Sequence, residues 1–330
     1  TIHAGSVVAD ADSAPTGPAT IVVTDGKVIE ILDGWALVDG SSQTVDLTEQ
    51  TVAPGLIDLH THLSGDPSGE YWRSTVTPPE YYTLIAAKNA RLTALAGFTT
   101  VRDVGSRSDQ VAQSLRQATR EGLVPGPRVV TSAQTIAILG GHGDKTSRFL
   151  KHVGDALGTD FTCTGAVECA EKVRLASKYG ADLIKITATG GVLSQQGRGL
   201  EAHFSPVEMK AIVDTATSLG LKVAAHAHGA RGIEEAARAG VQTIEHGTYI
   251  DEQAAKVMRE NGTVLVPTLM AFQGIKTNLG TGFYTPVVED KVRAVGPYAE
   301  SIVERARKWG VKIAFGTDAG VFPHCLLYTS

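Results

Sequence analysis

The sequence is poor in cysteine, in surplus positive charge and in long apolar runs, and each shortage removes a class of function. The three cysteines, Cys163, Cys169 and Cys325, make neither a disulfide framework nor a Cys-x-x-Cys metal pair. Cys163 and Cys169 are close enough in sequence to bridge in an oxidising compartment. Cys169 falls in a helix-like stretch, however, and the pair is expected to stay unbridged. Thirty Lys and Arg against 35 Asp and Glu leave a net charge of −5, so nucleic acid is not an expected partner. No apolar run is long enough to span a membrane. No Gly-x-Gly-x-x-Gly opens a helix after the first strand, which speaks against a dinucleotide fold. There is no whole-chain repeat and no low-complexity tract. The chain starts at Thr1 rather than at a methionine, so a preceding segment, such as a signal peptide, is an open expectation. The cytoplasm is the default compartment, with a periplasmic or secreted location if such a peptide was removed.

The rest is ordinary for a globular protein, with 42% hydrophobic and 20% charged residues. Residues 1–53 read as all-β, the N-terminal portion of a small β-sandwich. In "ATIVVTDGKVIEIL", Asp25-Gly26 separates two β-branched runs and signals a hairpin. Residues 54–330 change pattern, and short apolar strands alternate with helical stretches. The strands are "APGLIDLHTHL", "FTTVRDVG", "PRVVTSAQTI", "DLIKITATGG", "KVAAHAHG", "VQTIEHGTY", "TVLVPTL" and "KIAFGTDAG". Ser205-Pro206 with Glu208 marks a helix start and Gly220 its stop. Eight such units predict an α/β fold, a (β/α)8 barrel. A doubly wound open sheet is the alternative.

A barrel builds its active site at the C-terminal ends of its strands. The chemistry-bearing residues fall there: His60 and His62 on strand one, Lys185 on strand four, His226 on strand five, His246 on strand six and Asp318 on strand eight. Singly each has a bland reading. A lone strand-end His is more often a hydrogen-bonded core residue, a lone strand Lys a snorkelling one, and Asp318 a helix cap. His-x-His puts two imidazoles on one side of a strand, a spacing that suits a metal. Lys185 is the oddest of the set. It lies between Ile184 and Ile186, where an unpaired ammonium is costly.

With the ordered set His-x-His, Lys, His, His, Asp, the chain resembles the amidohydrolase superfamily from "GLIDLHTHL" to "GTDAG". "KITATGGVLS", "HAHG" and "IEHGTYI" resemble its prolidase-like Xaa-Pro dipeptidase and Xaa-Arg carboxypeptidase branch. The resemblance implies two divalent metals, usually zinc, and a Lys185 carboxylated by carbon dioxide that bridges them. His60, His62 and Asp318 are expected to hold one metal and His226 and His246 the other. A metal-bridging hydroxide would attack the amide, and Asp318 would shuttle its proton. His142 in "LGGHGD" is expected to stabilise the oxyanion. Arg231 and Tyr249 are the candidates to bind a substrate carboxylate, and His228 supports the site. Tyr71, Trp72 and Arg73 are expected to line the pocket, and no role falls to His203, His324, His3 or His152.

The expected substrate is therefore a dipeptide or N-acyl amino acid. A cyclic amidase, lactonase or phosphotriesterase with the same metal centre is the alternative, and a non-catalytic scaffold barrel is the reading from another class. Deamination is disfavoured, because Gly229 stands where such enzymes place a Glu. Relative to the family pattern the chain stops early. The expectation is a missing final helix and returning strands, a non-native tail at Cys325–Ser330, and homo-oligomeric association through the surfaces left bare.

Overall fold

The computed structural model describes residues 1–40, 43–67, 73, 76–108, 110–147, 149–158, 160–195 and 199–324. Tyr71, Trp72 and the expected Cys325–Ser330 tail lie outside the described residues. The chain divides into two compact units, Thr1–Leu56 and Ile57–Ser330.

In the first unit, β1 (Ile2–Val7), β2 (Ala19–Thr24), β3 (Lys27–Asp33) and β4 (Val45–Val52) form one sheet in the order β3-β2-β1-β4. Thr24 pairs with Lys27. Asp25 (φ 51°) and Gly26 (φ 73°) between them take the left-handed backbone that a two-residue hairpin demands. Ala4, Val7, Ala19 and Ile21 form its small core.

The second unit alternates strands with helices. Its strands are β5 (Leu56–Thr61), β6 (Phe98–Asp103), β7 (Arg128–Thr131), β8 (Thr135–Ile138), β9 (Thr162–Cys163), β10 (Ile184–Thr187), β11 (Val223–Ala227), β12 (Thr243–His246) and β13 (Val264–Val266). Its helices are α1 (Pro79–Leu95), α2 (Val111–Arg120), α3 (Lys151–Leu157), α4 (Ala166–Lys178), α5 (Pro206–Ser218), α6 (Ala230–Ala239), α7 (Glu252–Glu260), α8 (Leu269–Lys276), α9 (Pro286–Glu300) and α10 (Ile302–Lys308). The sheets run β5-β6-β7 and β13-β12-β11-β10-β8-β9. The pairings β6–β7, β8–β10, β10–β11, β11–β12 and β12–β13 are parallel. Ser205 and Glu208 form the capping box expected at the start of α5, which contributes about 1 kcal/mol.

Two expected strands are irregular. Strand three is split into β7 and β8, because Ala133 between them adopts a left-handed backbone (φ 63°). Its halves pair with different sheets, β7 with β6 and β8 with β10. Strand eight is not a regular strand. Residues 312–319 exchange hydrogen bonds with Leu265 on one side, and with Leu59 and His62 on the other. Only Ile313 and Ala319 form bridges, since Asp318 (φ 61°) and Gly320 (φ 114°) leave the extended region. The cysteine expectation is also corrected, because Cys163 and Cys169 are disulfide-bonded. β9 ends at Cys163 and the turn at Gly165 (φ 81°) brings the first turn of α4 back over it. The Cα atoms are thus 5.1 Å apart, within bridging range.

Every residue of β10 and β11 is buried, as expected of strands covered on both faces. Alternation then sorts the side chains. Ile184, Ile186, Val223, Ala225, Ala227 and Ile244 join the core that packs against α4 to α7. Each fully buried Ile there contributes about 1.5–3 kcal/mol. Lys185, Thr187 and His226 take the other face and line a cavity.

Candidate metal centre and active site

A cavity of about 360 Å³ opens at the C-terminal ends of these strands. Lys185, His60, His62, His142, His226, His228, His246 and Asp318 all line it. Among the described residues two groups of donors have atoms within 4.8 Å of one another, namely His60, His62 and Asp318, and His226, His228 and His246. His228, expected on the substrate-binding side of the site rather than as a metal donor, belongs to the second group.

Each of these five rings has one nitrogen already committed. His60 Nδ1 donates to Glu245 Oε2 (2.7 Å) and His62 Nδ1 to the Gly105 carbonyl (2.8 Å). His226 Nε2 donates to the Gly190 carbonyl (3.1 Å). A carboxylate or carbonyl only accepts, so the hydrogen sits on the bonded nitrogen and the other keeps a lone pair. His228 Nδ1 and His246 Nδ1 are held by the hydroxyls of Thr248 and Thr268, both at 2.7 Å. Such second-nitrogen bonds orient metal-binding histidines. Asp318 Oδ1 is buried without a hydrogen bond among the described residues, and it faces His60 Nε2 at 3.5 Å and His62 Nε2 at 3.3 Å. An orphaned carboxylate oxygen opposite imidazole lone pairs is a donor set suited to cations.

The electrostatics agree at the second group; at the first, burial lowers His62 but the Asp318 carboxylate outweighs it and holds that imidazole above its ordinary value. Burial pushes His226 and His246 far below the ordinary imidazole value and His142 to about 3, with neighbouring histidines and Lys185 adding to the effect, and it pushes His228 to about 3 with Lys291 and Lys185 adding to it. These rings are neutral, the form that binds metals. Burial alone would raise Asp318, but His60, His62 and Lys185 outweigh it and hold the carboxyl below its usual range. Lys185 is 3% exposed, and its ammonium has no hydrogen bond or ion pair among the described residues. Burial lowers it to about 8, against the opposing pull of Glu245 and Asp318.

Several residues escaped the sequence reading. Glu245, completely buried, accepts from Arg102 Nη2 at 2.7 Å as well as from His60 and from the Thr243 hydroxyl. Arg102 also donates to the Leu59 carbonyl (2.5 Å). Glu245 reads in sequence as one polar residue beside a ligand, and only the cross-strand register reveals its partners. His203 Nδ1 accepts the His142 backbone N–H (3.3 Å). His324 binds Thr93 and the His62 carbonyl through its ring. A Cβ at Gly191 would collide with the His142 ring, so only glycine lets that imidazole lie where it does.

Both expected carboxylate binders are misplaced. Arg231 lies on the outer side of α6, paired with Glu235 at 3.0 Å, because the helix starts at Ala230 and an i,i+4 partner is within reach. Tyr249 packs against Tyr298 and its hydroxyl donates to the Ala294 carbonyl. Neither lines the cavity. Arg73 pairs with Asp66 (2.8 Å) and is likewise absent from its wall.

The sequence profile of the amidohydrolase family matches residues 51–327. The chain belongs to the amidohydrolase family. An ochratoxinase of Aspergillus niger is 30% identical over 96% of this chain and 68% of its own length. The crystal structure of a Xaa-Pro dipeptidase with bound methionine in the active site is similar at a TM-score of 0.89. It is 38% identical, with 98% of this chain and 80% of that one covered. A prolidase complexed with N-methylphosphonate-L-proline is similar at 0.86, with 32% identity over 96% of this amidohydrolase and 78% of the prolidase.

Proposed function

We propose that this amidohydrolase is a metal-dependent hydrolase that cleaves the amide C–N bond of dipeptides or N-acyl amino acids bearing a free carboxylate. Its frame is a (β/α)8 barrel closed through residues 312–319. The observation that carries the reading is Lys185, buried on the cavity wall with both donor groups and without a partner among the described residues. The relatives named as Xaa-Pro dipeptidase and prolidase support the substrate class.

Two divalent cations, with zinc the first choice, suit the donors. His60, His62 and Asp318 would hold one, and His226 and His246 the other with His228 beside them. Lys185 would serve both once its neutral amine adds carbon dioxide and releases a proton, a reaction favoured by its lowered pKa. When bound, such cations make a water proton labile and polarise a carbonyl. The side chains do the rest. Asp318 takes the proton from the attacking water and returns it to the nitrogen as the C–N bond breaks. Neutral His142 donates a hydrogen bond to the carbonyl oxygen as it gains negative charge.

The test is a screen of dipeptides and N-acyl amino acids, with zinc and bicarbonate supplied and after chelation. Activity that appears with metal and vanishes on chelation is expected. Absence of amide cleavage, with lactones or phosphotriesters hydrolysed instead, would overturn the reading. In the same assay His142→Ala is expected to lower kcat by about 10²–10³ at unchanged metal content. Near-normal turnover would reduce His142 to a loop residue.

A further inference from the structure

The cavity wall above the donor groups is uneven. Leu193, Phe272, Ile275, Val292, Val295 and Val321 make part of it apolar. The turn after β6 makes another part polar. There Ser106 is 5% exposed, and its Oγ is buried with no hydrogen-bond partner among the described residues. Such a hydroxyl costs stability unless something other than the protein satisfies it. Arg107 beside it is exposed, also lines the cavity, and its guanidinium has no ion pair among the described residues.

The backbone carrying these two side chains is held from three directions. Ser106 N–H donates to the Ala133 carbonyl (3.2 Å) and Arg107 N–H to Ser64 Oγ (2.8 Å). Lys145 Nζ donates to the carbonyls of Ser106 (3.4 Å) and Arg107 (3.1 Å). Among the described residues the carboxylate bonded to this turn is that of Asp103, which accepts the Gly105 and Leu63 N–H groups. A fixed platform thus presents a cation and an unsatisfied hydroxyl to the cavity. A guanidinium fork and a hydroxyl are donors that match a carboxylate.

We infer that Arg107 and Ser106 form the subsite that receives the substrate's free carboxylate, and that the apolar wall receives its uncharged side chain. The substrate class is then an amino acid with a free carboxylate, acylated on nitrogen, with an apolar side chain. This rests on the hydrolase reading above. It assigns to Arg107 the role that Arg231, turned away on α6, does not fill.

The test compares N-acetyl-L-leucine, the dipeptide Ala-Leu and their C-terminal carboxamides as substrates of the metal-loaded protein. The wild type is expected to prefer the free acids. Arg107→Gln is expected to raise KM for the free acids by about 10- to 100-fold, with the larger part of the loss in KM rather than kcat. Its preference for acid over carboxamide should fall by the same factor, and Arg107→Lys should recover part of it. Equal metal content in all variants excludes a folding defect. An unchanged KM in Arg107→Gln would overturn the subsite and leave the hydrolase reading standing; a wild type that cleaves acids and carboxamides alike would overturn the subsite and the free-carboxylate requirement, leaving metal-dependent amide hydrolysis itself intact. A wild type that cleaves none of these and no amide in the wider screen would overturn the hydrolase reading and the subsite together.

Discussion

Lys185→Ala is expected to lose at least about three orders of magnitude in kcat/KM, together with most of the bound metal. The lysine is buried beside both donor groups and has no hydrogen bond or ion pair among the described residues. Its lowered pKa of about 8 favours a neutral amine able to take up carbon dioxide. Alanine removes the site of that reaction and leaves the histidines in place. Short carboxylates such as acetate or propionate should then restore part of both metal content and turnover, since the space vacated takes an anion of similar size. Metal analysis, intact-protein mass and kinetics with and without added carboxylate are the measurements. An unmodified lysine in a fully metallated, active protein would refute the carbamate.

The second large effect belongs to Glu245. Its carboxylate accepts from Arg102, Thr243 and His60 in a region without water access. Removing one partner of a buried ion pair leaves the other charged and unpaired, and Glu245→Ala is expected to cost about 3–5 kcal/mol of folding stability. Glu245→Gln keeps the shape and one acceptor, so it should cost less stability. It no longer enforces a hydrogen on His60 Nδ1, however, because an amide can present N–H instead of oxygen. Metal affinity should therefore fall by about 10–100-fold in the Gln variant. Denaturant titration of the metal-free proteins separates the first effect from the second, which equilibrium metal binding reads. Wild-type stability in Glu245→Ala would show that Arg102 finds other partners.

What the sequence made legible was the inward side of regular strands. Position near a strand end put Lys185 and His226 among the site residues, and period-two alternation put His60 and His62 on one side together. Glu245 was illegible, since its meaning depends on Arg102 and His60 from strands 143 and 185 residues away. Arg231 was misread because "HAHGARG" places it just past a strand end. The following helix starts one residue earlier and rotates it to Glu235. Arg107 and Ser106 sit on a turn with no periodic pattern, so nothing in their spacing marked them. Strands three and eight broke where non-glycine residues, Ala133 and Asp318, adopt positive φ, a choice that local composition does not signal.

That backbone choice has a consequence for how the protein can change. By register His246 lies opposite Ala227, whose side chain belongs to the helix-side core. Strict alternation would turn the imidazole that way too. Its left-handed backbone (φ 69°) brings it to the cavity instead, and Thr268, which holds its Nδ1, is left-handed as well (φ 48°). Each such residue carries about 1–2 kcal/mol of unfavourable backbone energy. Selection for heat resistance alone would relieve it by drawing glycine into position 268, and the imidazole would lose the hydroxyl that aims it. Durability and catalytic aim therefore compete at this rim, and a lineage under thermal pressure would have to find its stability elsewhere in the fold.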